Sequence, residues 1–293
     1  SRYNERVKAA FPDNLSLDGI KVVIDCANGA AYRAAPEVLW ELGADVIPVG
    51  VSPNGYNINE NCGSTKPLTA SEAVIAHGAD VGICLDGDAD RCIILDEKGQ
   101  VADGDQFMGL IAGRWAEEDR LRGGTLVATV MSNLGLERHL QGKGLTLART
   151  GVGDRYVVEE MRKNGFNLGG EQSGHIVMTD YATTGDGLMA GLQFLGELAR
   201  TERKASELIS VFEPVPQMLK NVRYTAGQVP LENGSVQSVI SGAEQELVGK
   251  GRLLIRKSGT EPLIRVMAEC EDPDLLSDVV ERIVDEVARA TAA

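Results

Sequence analysis

Three aspartates within five residues form the densest chemistry in the chain. Asp86-Gly87-Asp88-Ala89-Asp90-Arg91 carries a carboxylate at every second position. Apolar runs lead into it (Val81, Ile83, Leu85) and out of it (Ile93, Ile94, Leu95), which predicts two strands. The small residues between the aspartates let a tight loop turn all three side chains inward. A hard divalent cation suits such a cluster of oxygens. Without one, three close anions repel and their pKa values rise. Three other readings compete. A calcium loop of the EF-hand type would use the same aspartates with Glu97 closing it, but Arg91 stands where that loop needs Gly, and β-branched runs flank it. A phosphatase pair of nucleophile Asp and acid Asp leaves the third Asp and the Arg unexplained. A solvated polar hairpin needs no function.

Two further stretches could do chemistry. Arg256-Lys257-Ser258-Gly259-Thr260, with Arg265 beyond it, reads as a phosphate grip. Two guanidinium groups hold phosphate oxygens in bidentate fashion, and hydroxyls and the amides around Gly259 add donors. A surface hairpin with ordinary charges is the bland reading. Gly170-Glu171-Gln172-Ser173-Gly174-His175 offers a carboxylate, a hydroxyl and an imidazole at alternate positions. In an extended loop these project to one side. Glu171 and Ser173 would suit a pair of sugar hydroxyls, and His175 is of a type that could transfer a proton. A packed structural histidine is the bland reading there. His77 and His139 lie in helix-like runs and read as structural.

The elements that must position these residues follow an alternating pattern. Strands are expected over Gly19–Ala27 and Asp45–Gly50, with helices ending near Leu42 and over Thr69–His77, the latter capped by Thr69 or Ser71. The next strand runs into the Asp loop, so that loop follows a strand's carboxyl end, where α/β sheets hold ligands. A second such unit begins near Gly104, with strands at Thr125–Met131 and Leu145–Arg149 and a long helix capped by Asp186. Its Gly151-Val152-Gly153 lacks a third Gly and is weak as a dinucleotide signal. After Pro214 and Pro216 come strands at Met218–Tyr224, Arg252–Arg256 and Leu263–Glu269, and a terminal helix with Leu276, Val279, Val280, Ile283, Val284 and Val287 on one side. The expected fold is α/β: two related three-layer domains with mixed, largely parallel sheets (residues 1–103 and 104–213), then a smaller α+β domain (214–293).

Composition narrows the partners. A net charge of −14 argues against nucleic acid and against an anionic membrane surface. No apolar run reaches the roughly 18 residues of a membrane span. Cys26, Cys62, Cys84, Cys92 and Cys270 are odd in number, with no CxxC pair, which suggests buried free thiols in a reducing cytoplasm. The chain opens on Ser1-Arg2-Tyr3, already in a helix-like run, which reads as a cut edge.

Taken in order, several segments resemble the α-D-phosphohexomutases. They are Asp25-Cys-Ala-Asn-Gly29, Asp86-Gly-Asp-Ala-Asp-Arg91, Val130-Met-Ser-Asn133, Val152-Gly-Asp-Arg155, Gly170-Glu-Gln-Ser-Gly-His175 and Arg256-Lys-Ser-Gly-Thr-Glu-Pro-Leu-Ile-Arg265. The resemblance covers essentially the whole chain and implies four domains, of which this chain would supply the second, third and fourth. It implies Mg²⁺ held by Asp86, Asp88 and Asp90 and by a phosphoserine that exchanges its phosphoryl group with a hexose phosphate through a 1,6-bisphosphate. It matches Arg256, Ser258, Gly259, Thr260 and Arg265 to the grip on the phosphate that is not reacting, and Glu171 and Ser173 to the sugar hydroxyls. Arg91 would neutralise the transferring phosphate, and Arg155 and His175 are candidates for managing the hydroxyl proton. The wording around Gln172 and Arg256–Arg265 favours a hexosamine phosphate over glucose or mannose phosphates. No Ser in the chain is followed by His, as the family's nucleophile loop requires. The partner expected is therefore an N-terminal serine domain of the same protein, without which the chain is inactive. A non-catalytic sugar-phosphate-binding module and a metal-dependent phosphatase are the alternatives from other classes.

Overall fold

Val22, Val23 and Ile24 make a strand buried on both faces, and the first sheet grows around it. The computed structural model describes residues 1–259 and 261–292. These fall into two compact units, Ser1–Ser132 with Leu136–Phe212, and Asn133–Gly135 with Glu213–Ala293.

The first unit opens with α1 (Arg2–Lys8), β1 (Lys21–Asp25), α2 (Ala34–Glu41), β2 (Asp45–Val49), α3 (Leu68–His77), β3 (Val81–Leu85) and β4 (Cys92–Leu95). The sheet order is β2-β1-β3-β4. The first three strands are parallel, and β4 returns antiparallel to β3 with Leu85 opposite Cys92. The next elements are α4 (Gly104–Glu117), β5 (Thr125–Thr129), α5 (Leu134–Gly142), β6 (Thr146–Thr150), α6 (Asp154–Asn164), β7 (Leu168–Gly170), β8 (Ile176–Met178), α7 (Gly187–Thr201) and α8 (Ala205–Leu208). The second sheet repeats the plan of the first, in the order β6-β5-β7-β8 with an antiparallel last pair. The kinship that the alternating pattern suggests is therefore visible as topology, although no repeat is legible in the residues. One apolar cluster takes in Ile24, Ile83 and Leu85 from the first sheet and Leu126 and Ile176 from the second. Phe107 of α4 and Phe194 of α7 meet edge to face within it, 6.0 Å between centroids. Each such buried side chain contributes about 1.5–3 kcal/mol.

Two expectations at helix ends have different outcomes. The start of α3 has no side-chain cap: Thr69 Oγ1 donates to Asn61 O and Ser71 Oγ to Gly99 O, so both hydroxyls tie neighbouring loops instead. Asp186 does cap α7, accepting from the Met189 N–H at 2.9 Å, and it also accepts the Tyr3 hydroxyl. Burial, and the Asp186 carboxylate, push that hydroxyl's pKa up. Asp186→Ala is expected to cost about 1 kcal/mol, read as a lower urea midpoint. An unchanged midpoint would mean that the cap contributes nothing.

The second unit contains β9 (Gln217–Arg223), α9 (Gly234–Leu247), β10 (Gly251–Lys257), β11 (Leu263–Cys270) and α10 (Pro273–Ala292). Its antiparallel sheet runs β10-β11-β9. Val222, Ile264, Val266, Ala268 and Cys270 pack against Val236 of α9 and against the predicted stripe of α10, from Leu276 to Val287. Period-two alternation then places Arg265 on the opposite face. Among the described residues no helix is long and apolar enough to cross a membrane.

Candidate metal and phosphate sites

The carboxyl end of β3 and the start of β4 hold the Asp loop as a hairpin. Asp86 closes it: its Oδ1 accepts the Arg91 N–H at 3.1 Å, and its carbonyl accepts the Ala89 N–H at 3.0 Å. Ala89 takes a left-handed φ of 60°, which turns the chain back. As a result, one carboxylate oxygen from each of Asp86, Asp88 and Asp90 lies within 4.8 Å of the others. These are hard oxygen donors at the spacing a hard divalent cation needs. Burial, and secondarily the Asp90 carboxylate, raise the Asp86 pKa against the pull of the Arg91 amide. Arg91 Nε stands 3.8 Å from Asp86 and 4.0 Å from Asp90; it is buried and makes no hydrogen bond. The EF-hand reading fails on geometry. Strands flank the loop, and Glu97 accepts from the N–H and hydroxyl of Ser206 instead of turning to the aspartates.

Neighbouring backbone braces the hairpin. Ala30 N–H donates to Gly87 O at 2.8 Å, and a Cβ on Gly29 would collide with Gly87. Asp25, fully buried at the end of β1, accepts from Ala27 N–H at 2.9 Å and Gly63 N–H at 2.6 Å. Burial raises its pKa in spite of those two bonds. On the other side, Gly187 N–H donates to Ala89 O and Cys92 N–H to Gly174 O, both at 2.9 Å.

That last bond brings the sugar-loop candidate to the metal-loop candidate. Residues 171–175 are not an extended loop. They form the turn of the β7–β8 hairpin, with Glu171 N–H donating to His175 O and Gly174 N–H to Glu171 O. The three side chains therefore diverge. Ser173 is exposed, Glu171 is half-buried and accepts from Gly153 N–H at 3.1 Å, and His175 is buried. His175 Nδ1 lies 3.2 Å from Asp90 Oδ2, and its Nε2 lies 4.0 Å from Asp154 Oδ2. Sequence reasoning singles out Arg155 and passes over Asp154, its neighbour in the same motif. Arg155 is exposed and pairs with Glu159 at 2.9 Å, whereas Asp154 faces the imidazole. The five cysteines are buried and unpaired. Burial pushes the Cys26 thiol up to about 12, with Asp25 adding to it, so a reactive thiolate there is suppressed.

In the second unit, Arg256 and Arg265 stand directly opposite each other in the β10–β11 ladder. Like charges in that position repel unless an anion lies between them. Arg265 Nε is buried without a hydrogen bond. Ser258 N–H donates to Leu263 O at 2.8 Å, which narrows the hairpin, and Gly259 is exposed at its tip. Thr260 lies outside the described residues.

Three models of one family, phosphoglucomutase/phosphomannomutase, match in order: alpha/beta/alpha domain II over residues 1–99, alpha/beta/alpha domain III over 103–215 and the C-terminal domain over 219–286. A phosphoglucosamine mutase of Ruegeria sp. (strain TM1040) is 70% identical over 290 residues, and one of Cereibacter sphaeroides (strain ATCC 17025) is 74% identical over 289. Each alignment covers 99% of this chain and 65% of the relative, so the chain spans about two thirds of their length. Among solved structures, the N-acetylphosphoglucosamine mutase of Aspergillus fumigatus superposes with a TM-score of 0.79 at 22% identity, covering 99% of this chain and 65% of that one. A phosphoglucomutase/phosphomannomutase family protein from Burkholderia thailandensis gives 0.76 at 22% identity, covering 99% and 63%. The chain belongs to the phosphoglucomutase/phosphomannomutase family, the α-D-phosphohexomutases, and carries its second and third α/β/α domains and its C-terminal domain.

Proposed function

We propose that this chain is the metal-, sugar- and phosphate-binding part of a phosphoglucosamine mutase, which interconverts glucosamine 6-phosphate and glucosamine 1-phosphate in the cytoplasm. The convergence of the Asp86, Asp88 and Asp90 oxygens at a strand's carboxyl end carries this reading, together with relatives 70% identical that bear that name. We divide the chain into a metal domain (1–103), a sugar domain (104–213) and a phosphate domain (214–293). The phosphoryl donor is a phosphoserine in the part of the protein that the relatives have beyond this match.

Asp86, Asp88 and Asp90 hold Mg²⁺. A solved Aspergillus fumigatus relative is a complex with GlcNAc-6P and magnesium, and another holds glucose1,6bisphosphate. Bound there, the cation offsets negative charge that develops on the transferring phosphoryl group. Arg91 supplies a second cation beside it. His175 donates from Nδ1 to Asp90 and so orients that carboxylate. Its Nε2 takes the proton released by the attacking sugar hydroxyl, and Asp154 stabilises the imidazolium that results. Arg155, an exposed cation paired with Glu159, attracts the anionic substrate. Glu171 and Ser173 hold sugar hydroxyls. Arg256, Arg265, Ser258, Gly259 and Thr260 grip the phosphate that does not react.

Phosphorus NMR tests the reading. The chain is mixed with Mg²⁺, glucosamine 1-phosphate and a trace of the 1,6-bisphosphate. The expected result is shifted or broadened resonances without conversion. Conversion to the 6-phosphate would mean that a residue of this chain carries the phosphoryl group. Release of inorganic phosphate would replace the mutase by a metal-dependent phosphatase.

A further inference from the structure

We infer that Asn59 is a phosphoryl-positioning residue: its carboxamide, held over the metal loop by the Asn54–Gly63 loop, donates to an oxygen of the phosphate group seated on that loop. The inference rests on the mutase reading and adds to it a residue from a different segment of the chain.

The first observation is where unusual backbone collects. Among the described residues, seven other than glycine have positive φ: Ala27, Asn28, Asn59, Asn61, Ala89, Asp119 and Glu202. Five of these lie in the Asp loop or in the two segments that lean on it. Left-handed backbone outside glycine is disfavoured and persists only where its surroundings over-determine it. Here the surroundings do so. Asn59 N–H donates to Ala27 O at 2.8 Å, Ser64 N–H donates to Leu85 O at 2.9 Å, and the buried Asp25 carboxylate holds Gly63. Asn57 and Asn54 close the exposed side of the loop through their own side chains.

The second observation is what that backbone delivers. A Cβ on Gly87 would stand 2.6 Å from Ile58 Cδ1 and 2.9 Å from Asn59 Nδ2. Gly87 lies between two of the three aspartates, so the amide nitrogen sits against the metal loop itself. The acidic loop favours the NH₂ end of the amide over its oxygen. That side chain makes no hydrogen bond to another described residue, and Asn59 is exposed, so its donors remain free for a ligand. A neutral donor beside carboxylates serves a phosphate well, because it adds a hydrogen bond without competing for the cation. Ile58 packs on Gly87 beside it.

The experiment is calorimetric titration of the chain with Mg²⁺ alone, and then with glucose 1,6-bisphosphate in saturating Mg²⁺. Asn59→Gly removes the amide and keeps the backbone conformation. Asn59→Asp keeps the size and replaces the donor by an anion. Both variants are expected to keep the melting temperature and to bind Mg²⁺ no more weakly than the parent chain. Asn59→Gly is expected to weaken the bisphosphate by about tenfold, the usual scale of a hydrogen bond to a charged group. Asn59→Asp weakens it further. Unchanged bisphosphate affinity in Asn59→Gly would overturn the inference, as would an equal loss of Mg²⁺ affinity, which would make the residue structural. Arg265→Ala, titrated alongside, separates the two readings. If it loses the bisphosphate while Asn59→Gly does not, only this inference falls. If the parent chain itself binds no bisphosphate, the mutase reading falls with it.

Discussion

Replacing Asp88 by Asn is expected to weaken Mg²⁺ binding by about 100-fold or more, with the melting temperature of the metal-free chain unchanged. Removing a partner outside the ligand set already costs 10–100-fold in comparable sites, so loss of a ligand belongs at or above the top of that range. Asp88 is the cleanest of the three to change. It is exposed, whereas Asp86 also closes the hairpin through the Arg91 amide and Asp90 also meets His175. Titration with Mg²⁺ and thermal denaturation without it give the two readouts. Affinity within a few fold of the parent chain would remove the metal from this loop. The pH dependence has a definite sign. Asp86 has a raised pKa, chiefly from burial. A raised carboxyl favours folding of the metal-free chain below its unfolded pKa, and that contribution is lost as pH rises through the folded value. The cation needs the same carboxyl ionised, so its binding strengthens over the same interval. Stabilisation by Mg²⁺ should therefore fade on acidification through the range where Asp86 takes up its proton.

Arg265→Ala is expected to lose about 100-fold or more in affinity for a hexose phosphate while leaving ligand-free stability unchanged or slightly higher. Two charge-assisted hydrogen bonds, at about 1.5–3 kcal/mol each, set the loss. The stability term has the other sign because Arg256 stands directly opposite in the ladder, and removing one of two facing cations relieves their repulsion. Arg265→Lys should recover only part of the affinity, since an ammonium cannot reproduce the guanidinium fork. Titration with glucosamine 1-phosphate and urea denaturation measure the two effects. If binding and stability fell together, Arg265 would be a structural residue and the phosphate grip would be lost as a reading.

Features whose information is local are legible in the residues alone. The Asp loop is legible because its carboxylates, at alternate positions, stand between two strand-like apolar runs. The α10 stripe is legible because helical periodicity persists over its whole length, and the Arg256–Arg265 hairpin because Ser, Gly and Pro interrupt two strand-like runs. Tertiary structure decided the rest, because the relevant contacts join residues far apart in the chain. The strands β7 and β8 are three residues each and too short to show a period, so the Glu171–His175 segment reads as extended when it is a tight turn. That turn sends His175 inward to Asp90 and leaves Ser173 outside. The cap expected at α3 failed because Thr69 and Ser71 found partners in loops that no local rule names. Asp25 looks like any strand-end carboxylate until folding buries it under Gly63, and Asn59 like any polar loop residue until its amide is set against Gly87. Local propensity decides which elements form; close packing of non-adjacent segments decides which side chains meet.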